Sequence, residues 1–332
     1  MAGAAKDGPC KATATGIYAM RLSLDVWWLD EINTTAPLFD PGRGTLTIYL
    51  KGEISDICQD GSGGKGVMRS CGTRLPPLFA DVNGGVIQIL FADDLWEKPG
   101  IPTFTTGGHT SGFNPMDILT IDKVTSLIGI SLTDTNATWP SYMETPTLKC
   151  PAGMGDKCFP DQDGDGHPGV TVSIQSDGTV PQPVYPRSGG WHFIPAPTDL
   201  GAGLLGTGAT SVYIGLRTKL GGAGAISADC KSGSGAADAE DFQSRTFDCV
   251  MKDGSKCTSA GASFVDQNVP VFHVLKKGDV PPTKWKHARS DADAKLDRSM
   301  SKGPLSTVVR LGDLNASIMC ADIRAAVFPT TP

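Results

Sequence analysis

Apolar and polar residues alternate along much of this chain with a period of two. In GIYAMRLSLDVWW (16–28), Tyr18, Met20, Leu22, Leu24 and Val26 fall on one side, and Arg21, Ser23 and Asp25 on the other. In GTLTIYLKGEIS (44–55), Leu46, Ile48, Leu50 and Ile54 alternate with Thr45, Thr47, Lys51 and Glu53. Such alternation marks strands with one face on a core and one face towards water. GGVIQILFADDLW (84–96) follows an Asn-Gly-Gly turn. Further strands are expected at 127–133, 170–175, 211–220, 269–275, 305–311 and 322–328. The best helical pattern covers 283–300, where Trp285, Ala288, Ala292, Leu296 and Met300 recur at three- and four-residue steps. A weaker helical pattern covers 116–127, with its Thr and Val content against it.

The fold class expected is therefore all-β: an antiparallel β-barrel or two packed β-units, with one short late helix at about 283–300. TLTIYLKGEISDIC (45–58) and TSVYIGLRTKLGGAGAISADC (210–230) each run as a strand towards a cysteine, then a Gly/Ser-rich loop, then Cys71 or Cys249. This weak repeat divides the chain into an N-terminal segment (1–15), a first β-half (16–145), a linker (146–170) and a second β-half (171–330). The halves either close on each other as one barrel or stand as two sandwiches; chance likeness between short β-turn units is the competing explanation of the repeat.

Composition supports turns over long helices: 41 Gly and 24 Pro are about a fifth of 332 residues. The net charge is −6 and no long basic run occurs, so nucleic acid is not an expected partner. No stretch of eighteen apolar residues is present, so no membrane-spanning helix is expected. The small, polar start MAGAAKDGPC is of the kind left after signal removal, with Met1 replacing a signal or a lipid-bearing cysteine.

Nine cysteines include no C-x-x-C pair, which argues against a zinc ribbon or thioredoxin-like motif. Several lie in polar, Gly-rich loops, which favours disulfides in a secreted, periplasmic or outer-surface protein. The local pairs Cys58–Cys71, Cys150–Cys158 and Cys230–Cys249 are the expected bridges, and the odd count leaves one thiol over.

Candidate chemistry concentrates in FPDQDGDGHPGVTV (159–172). Asp161, Asp163 and Asp165 occupy alternating positions, Gly166 allows a sharp turn, and the carbonyl of His167 follows. Three carboxylates within five residues repel one another unless a cation offsets them, and oxygen donors suit calcium. The stretch resembles the D-x-D-x-D-G loops of EF-hands, dockerins and thrombospondin type 3 repeats over about nine residues. An EF-hand carries a Glu at position twelve, where Val172 stands, and its flanking helices are missing. The resemblance implies a structural calcium ion, bound with the weak affinity, on the order of micromolar to millimolar, of an extracellular module.

Signals for catalysis are sparse. No G-x-S-x-G elbow or H-E-x-x-H pattern occurs among the residues, and His109 with Ser111 reads as a turn. Asp93, Asp94 and Glu97 beside Trp96 are the weak catalytic candidates, because paired carboxylates near an aromatic suit sugar cleavage; they equally suit the polar end of a strand. Trp27, Trp28, Trp96, Trp139 and Trp191 suit a carbohydrate or lipid site, or the core. The ensemble resembles secreted or lipid-anchored bacterial β-proteins with calcium loops and cysteines. The order of strands, late helix and final strand is similar to the calycin and lipocalin layout, although Gly16-Ile17-Tyr18 stands where a G-x-W motif would be. That resemblance implies a barrel holding a small apolar or amphipathic ligand, without catalysis, and a lipid anchor on the native precursor. A secreted polysaccharide hydrolase and a structural or adhesion module are the alternatives.

Overall fold

The computed structural model describes residues 15–29, 42–55, 64–76, 78–79, 86–110, 118–132, 134–135, 137, 158–175, 209–227, 229, 231–240, 242–251, 253–257, 271–281 and 299–327. Thirteen strands follow in order: β1 (Gly16–Leu29), β2 (Gly42–Ser55), β3 (Gly64–Arg74), β4 (Leu78–Phe79), β5 (Val86–Phe91), β6 (Thr103–Thr110), β7 (Ile118–Ile128), β8 (Val170–Gln175), β9 (Ala209–Ile226), β10 (Ser232–Ala239), β11 (Gln243–Met251), β12 (Val271–Val274) and β13 (Leu305–Gly312). Among the described residues a 3-10 turn spans Asp93–Glu97, and one α-helix, α1, spans Cys320–Val327.

Eight of these strands close into a ring, β1-β2-β3-β6-β7-β9-β10-β13, with every neighbour antiparallel and β13 returning to β1. Closure leaves no unpaired edge along the ring. Five ring strands come from residues 16–145 and three from 171–330, so the two stretches join side by side in one closed sheet. Two long strands carry the ring into further structure. β1 pairs with β13 along Ile17–Ser23 and with β12 along Val26–Leu29. β9 pairs with β7 and β10 through its second half, and with β8 through its first. β11 runs along β9 from Arg217 to Ala209. A bridge between Phe242 and Phe272 joins the β11 and β12 sides.

Alternation decides what faces inward. Tyr18, Met20, Leu22, Leu24, Val26 and Trp28 are buried along β1, opposite Leu46, Ile48, Leu50 and Ile54 of β2. Lys65, Thr103 and Thr105 point out to solvent, and Lys51 pairs with Glu53 at 3.1 Å on the same surface. Burial of each large apolar side chain contributes roughly 1.5–3 kcal/mol, so the inward face of β1 and β2 is a large source of stability.

The outward face of β1–β3 is instead apolar around Ala19, Tyr49 and Cys71, all buried. The helix α1 covers it, with Cys320, Ile323 and Val327 buried at helical spacing. Asp322 accepts from the Met319 amide at 2.9 Å and fixes the start of the helix. A disulfide joins Cys320 to Cys71 on β3, and Arg324 donates to the Cys71 carbonyl at 2.8 Å. Gly72 makes room for this crossing: a Cβ there would lie 2.9 Å from Tyr49 Cδ2 and 3.2 Å from Arg324 Cδ.

Several expectations change. Residues 322–328, expected as a strand, fall in α1 apart from the last; the i, i+3, i+7 spacing of its buried residues overrides a short apolar run that reads either way. Of residues 116–127, expected as a weak helix, 118–127 form most of β7. A register shift between Ile121 and Val124 breaks the period-two pattern there and imitates a helical step. The strand expected at 127–133 stops at Ile128, followed by a single bridge from Ser131 to Cys158. The helical pattern at 283–300 lies outside the described residues except for its last two positions.

Two disulfide expectations are overturned. Cys71 pairs with Cys320, not Cys58, because its side chain leaves β3 on the face that α1 covers. Cys249 pairs with Cys257, not Cys230, because a turn at Asp253–Gly254 brings the chain straight back beside β11. Cys158 is also disulfide-bonded, with its partner outside the described residues; Cys58, Cys150 and Cys230 lie outside them.

Candidate functional site

The Asp loop is held at both ends. Gly169 N donates to the Pro160 carbonyl at 2.9 Å, and the Gln162 side-chain oxygen accepts from Gly129 N at 2.7 Å, which ties the loop to the end of β7. Gly164 and Gly166 adopt φ of 76° and 90°, a region that glycine enters without a Cβ clash. The turn folds the backbone amides of Gly164, Asp165 and Gly166 onto the Asp161 carboxylate, at 2.7, 3.2 and 2.9 Å. Asp165 accepts from His167 N at 2.8 Å and from the Thr171 hydroxyl at 2.5 Å, and Asp163 Oδ2 accepts from Thr171 N at 2.7 Å.

One carboxylate oxygen from each of Asp161, Asp163 and Asp165 lies within 4.8 Å of the others, so the cluster could hold a metal ion. Asp163 Oδ1 is buried with no hydrogen-bond partner. Burial raises the Asp163 carboxyl above its usual range, and the neighbouring Asp165 charge raises it further, against the Thr171 hydrogen bonds. The His167 ring stacks on Tyr213 of β9, with centroids 4.3 Å apart, and so serves as a clamp between loop and sheet.

The ring interior is the second candidate. A cavity of about 80 Å³ is lined by Met20, Leu50, Met68, Phe104, Ile121 and Val308, among others. Its existence follows from the sequence of one wall. β9 contributes Gly221-Gly222-Ala223-Gly224-Ala225 and β10 pairs with it through Gly233, Gly235 and Ala237. Those positions send almost nothing inward. At Gly52 a Cβ would lie 2.6 Å from Met20 Cε and 3.0 Å from Met68 Sδ, so two flexible thioethers occupy that space.

The weak catalytic candidates take docking roles. Asp93 pairs with Arg324 of α1 at 3.5 Å, Asp94 pairs with Lys98 at 3.3 Å, and Glu97 accepts from the Ala321 amide at 3.3 Å. Trp96 between them is buried, and its carbonyl accepts from Arg69 at 2.9 Å. Asp93 and Glu97 thus dock the helix, and Asp94 pairs locally with Lys98 at the end of its own turn. Trp27 stacks on His273 and Trp28 meets Phe272 edge-on; Trp139 and Trp191 lie outside the described residues, and nothing is described of the His109 side chain or of Ser111.

Sequence reasoning passed over a polar groove of about 460 Å³ beside β9 and β10. Three of its four cations are engaged: Lys123 with Asp238 at 2.9 Å, Lys219 with Glu240 at 3.3 Å, and Arg217 with Gln243 and the Thr135 and Ala137 carbonyls; Lys276 is the fourth. It also passed over Arg310, which stands opposite Tyr18 at the end of the ring interior. The signal was present in LSTVVRLG, where Arg310 follows Ser306 and Val308 at period two. No protein-family model, curated protein or solved structure matches this chain.

Proposed function

We propose that this is an extracellular or cell-surface β-barrel protein, stabilised by calcium, that binds the apolar end of a small ligand and is not an enzyme. The observation that carries the reading is the apolar cavity inside the ring, with its glycine-rich wall. Its volume is about half of the ~150 Å³ that holds a benzene ring, and equals about three groups of the ~30 Å³ that a water molecule takes in the liquid. A short alkyl terminus fits, and movement of Met20 and Met68 makes more room. The Asp161, Asp163 and Asp165 oxygens are hard donors of the kind calcium takes. The two long- and short-range disulfides support an oxidising compartment.

The test is methyl NMR on protein labelled at methionine, with Met20 and Met68 assigned by single Met→Leu variants. Titration with 1-octanol is expected to shift both methyl signals to saturation. Ser306→Phe, which places a ring in the cavity, is expected to abolish the shift while the fold survives by circular dichroism. Unmoved methyl signals up to the solubility limit of octanol would sink the reading.

A further inference from the structure

The inward residues of β13 run Ser306, Val308, Arg310, and those of β1 run Leu22, Met20, Tyr18, each directly opposite its partner. Five of these six line the cavity. Arg310 is therefore the next step along the same wall, and puts a cation at the end of an apolar chamber. Its side chain is 18% exposed. Nη2 donates to the Thr15 carbonyl at 2.9 Å and to Asp313 Oδ1 at 2.5 Å, whereas Nε is buried with no partner. At Gly16 an added Cβ would lie 2.8 Å from Nε, so only a residue without a side chain fits beside that edge of the guanidinium. Burial raises the Tyr18 phenol, and Arg310 opposes the rise through its charge and a hydrogen bond, so the two groups act on each other at the chamber's end.

Nε and Nη2 form one edge of a guanidinium, the pair of parallel donors that matches the two oxygens of a carboxylate. Here one donor has no partner and the other is shared with Asp313, whose side chain is 80% exposed. An exposed carboxylate contributes little to such a pair, because water screens it. A ligand carboxylate arriving with its tail in the cavity would engage both donors in a drier place.

We propose that the cavity and Arg310 form a single site for a short amphiphile with a carboxylate head. The tail lies among Met20, Met68 and Phe104, and the head takes Arg310 and the Tyr18 hydroxyl in place of Asp313. The assignment rests on the binding reading above and adds the charge of the ligand.

The experiment compares octanoate, 1-octanol and octyltrimethylammonium on the full chain, read by the Met20 and Met68 methyl signals. Octanoate is expected to half-saturate at about tenfold lower concentration than octanol, the step of a charge-assisted hydrogen bond, and the cation to bind weakest. Arg310→Gln is expected to bring octanoate to the level of octanol, and Arg310→Lys to restore part of the gap. Asp313→Asn is expected to tighten octanoate and leave octanol unchanged, a gain that misfolding cannot produce. Equal half-saturation by octanoate and octanol in the unaltered protein, or a gap that persists in Arg310→Gln, overturns the head-group assignment while the barrel reading stands. Failure of all three ligands to move the methyl signals overturns both.

Discussion

The disulfide between Cys71 and Cys320 closes a loop of 249 residues that holds five of the eight ring strands, β6, β7, β9, β10 and β13. Replacing both cysteines by alanine removes that constraint from the unfolded chain. The chain-entropy relation gives about 18 cal/mol/K for a loop of this length, or about 5.5 kcal/mol at 25 °C, an upper figure because unfolded chains keep some structure. With ~2.1 cal/mol/K of unfolding entropy per residue, 332 residues give ~0.7 kcal/mol/K, so the expected fall in Tm is up to about 8 °C. The effect should be local as well as global. An eight-residue helix is not stable alone in water, so α1 exists because it is docked. Without the bridge it is held by Ile323 and Val327, by Arg324 on the Cys71 carbonyl, and by Arg21 on the Val327 carbonyl at 3.1 Å. Calorimetry should record the lower Tm, and limited trypsin digestion should cut early at Arg324. A double variant that melts within about a degree of the parent, with Arg324 still protected, would refute the view that the bridge both staples the helix and limits the unfolded chain.

Calcium at a hundredfold excess over its dissociation constant is expected to contribute about 2.7 kcal/mol, or about 4 °C by the same entropy, and chelator to remove it. Asp163→Asn should abolish the calcium shift, yet melt no lower than the parent in chelator, because it replaces a buried, partly unpartnered carboxylate with a neutral isostere; an equal calcium shift in both proteins counts against the site. Tyr213 is pushed up to about 12 by burial and by the charges of Asp165, Asp248 and Asp163. Its phenol holds the proton more tightly folded than unfolded, so its contribution is intact below its ordinary value of about 10 and is lost as pH rises from there through about 12. Urea midpoints between pH 9 and 12 should therefore fall less steeply in Tyr213→Phe than in the parent, and identical slopes would show that Tyr213 does not carry this loss.

Much of the fold was legible because strand and loop signals are local. Tyr18 to Val26 and Leu46 to Ile54 announce their buried faces by alternation, which needs no knowledge of the partner strand. The Asp161, Asp163, Asp165 and Gly166 spacing likewise specifies a turn that gathers carboxylates, since its geometry is set within one loop. Two of the expectations that failed depended on distant partners. β7 carries a bulge whose offset is fixed by its pairing with β9, and that offset hid its alternation. Residues 320–327 form a helix because an apolar outer wall of β1–β3 and Cys71 await them, some 250 residues away in sequence.

The same division applies to function. By itself the sequence determined an all-β chain, a cluster of acidic oxygens and cysteines suited to an oxidising compartment, because each is a matter of residue type and short spacing. Only the tertiary structure decided that strands from both stretches close into one ring, that Asp93 and Glu97 dock a helix, and that Gly221–Ala225 leave space opposite Met20 and Met68. It alone placed Arg310 at the end of that space, opposite Tyr18. Closure of the ring by β1 and β13, and the bridge from Cys71 to Cys320, arise from contacts between residues hundreds of positions apart. Local periodicity carries no record of which distant strand will supply the other wall.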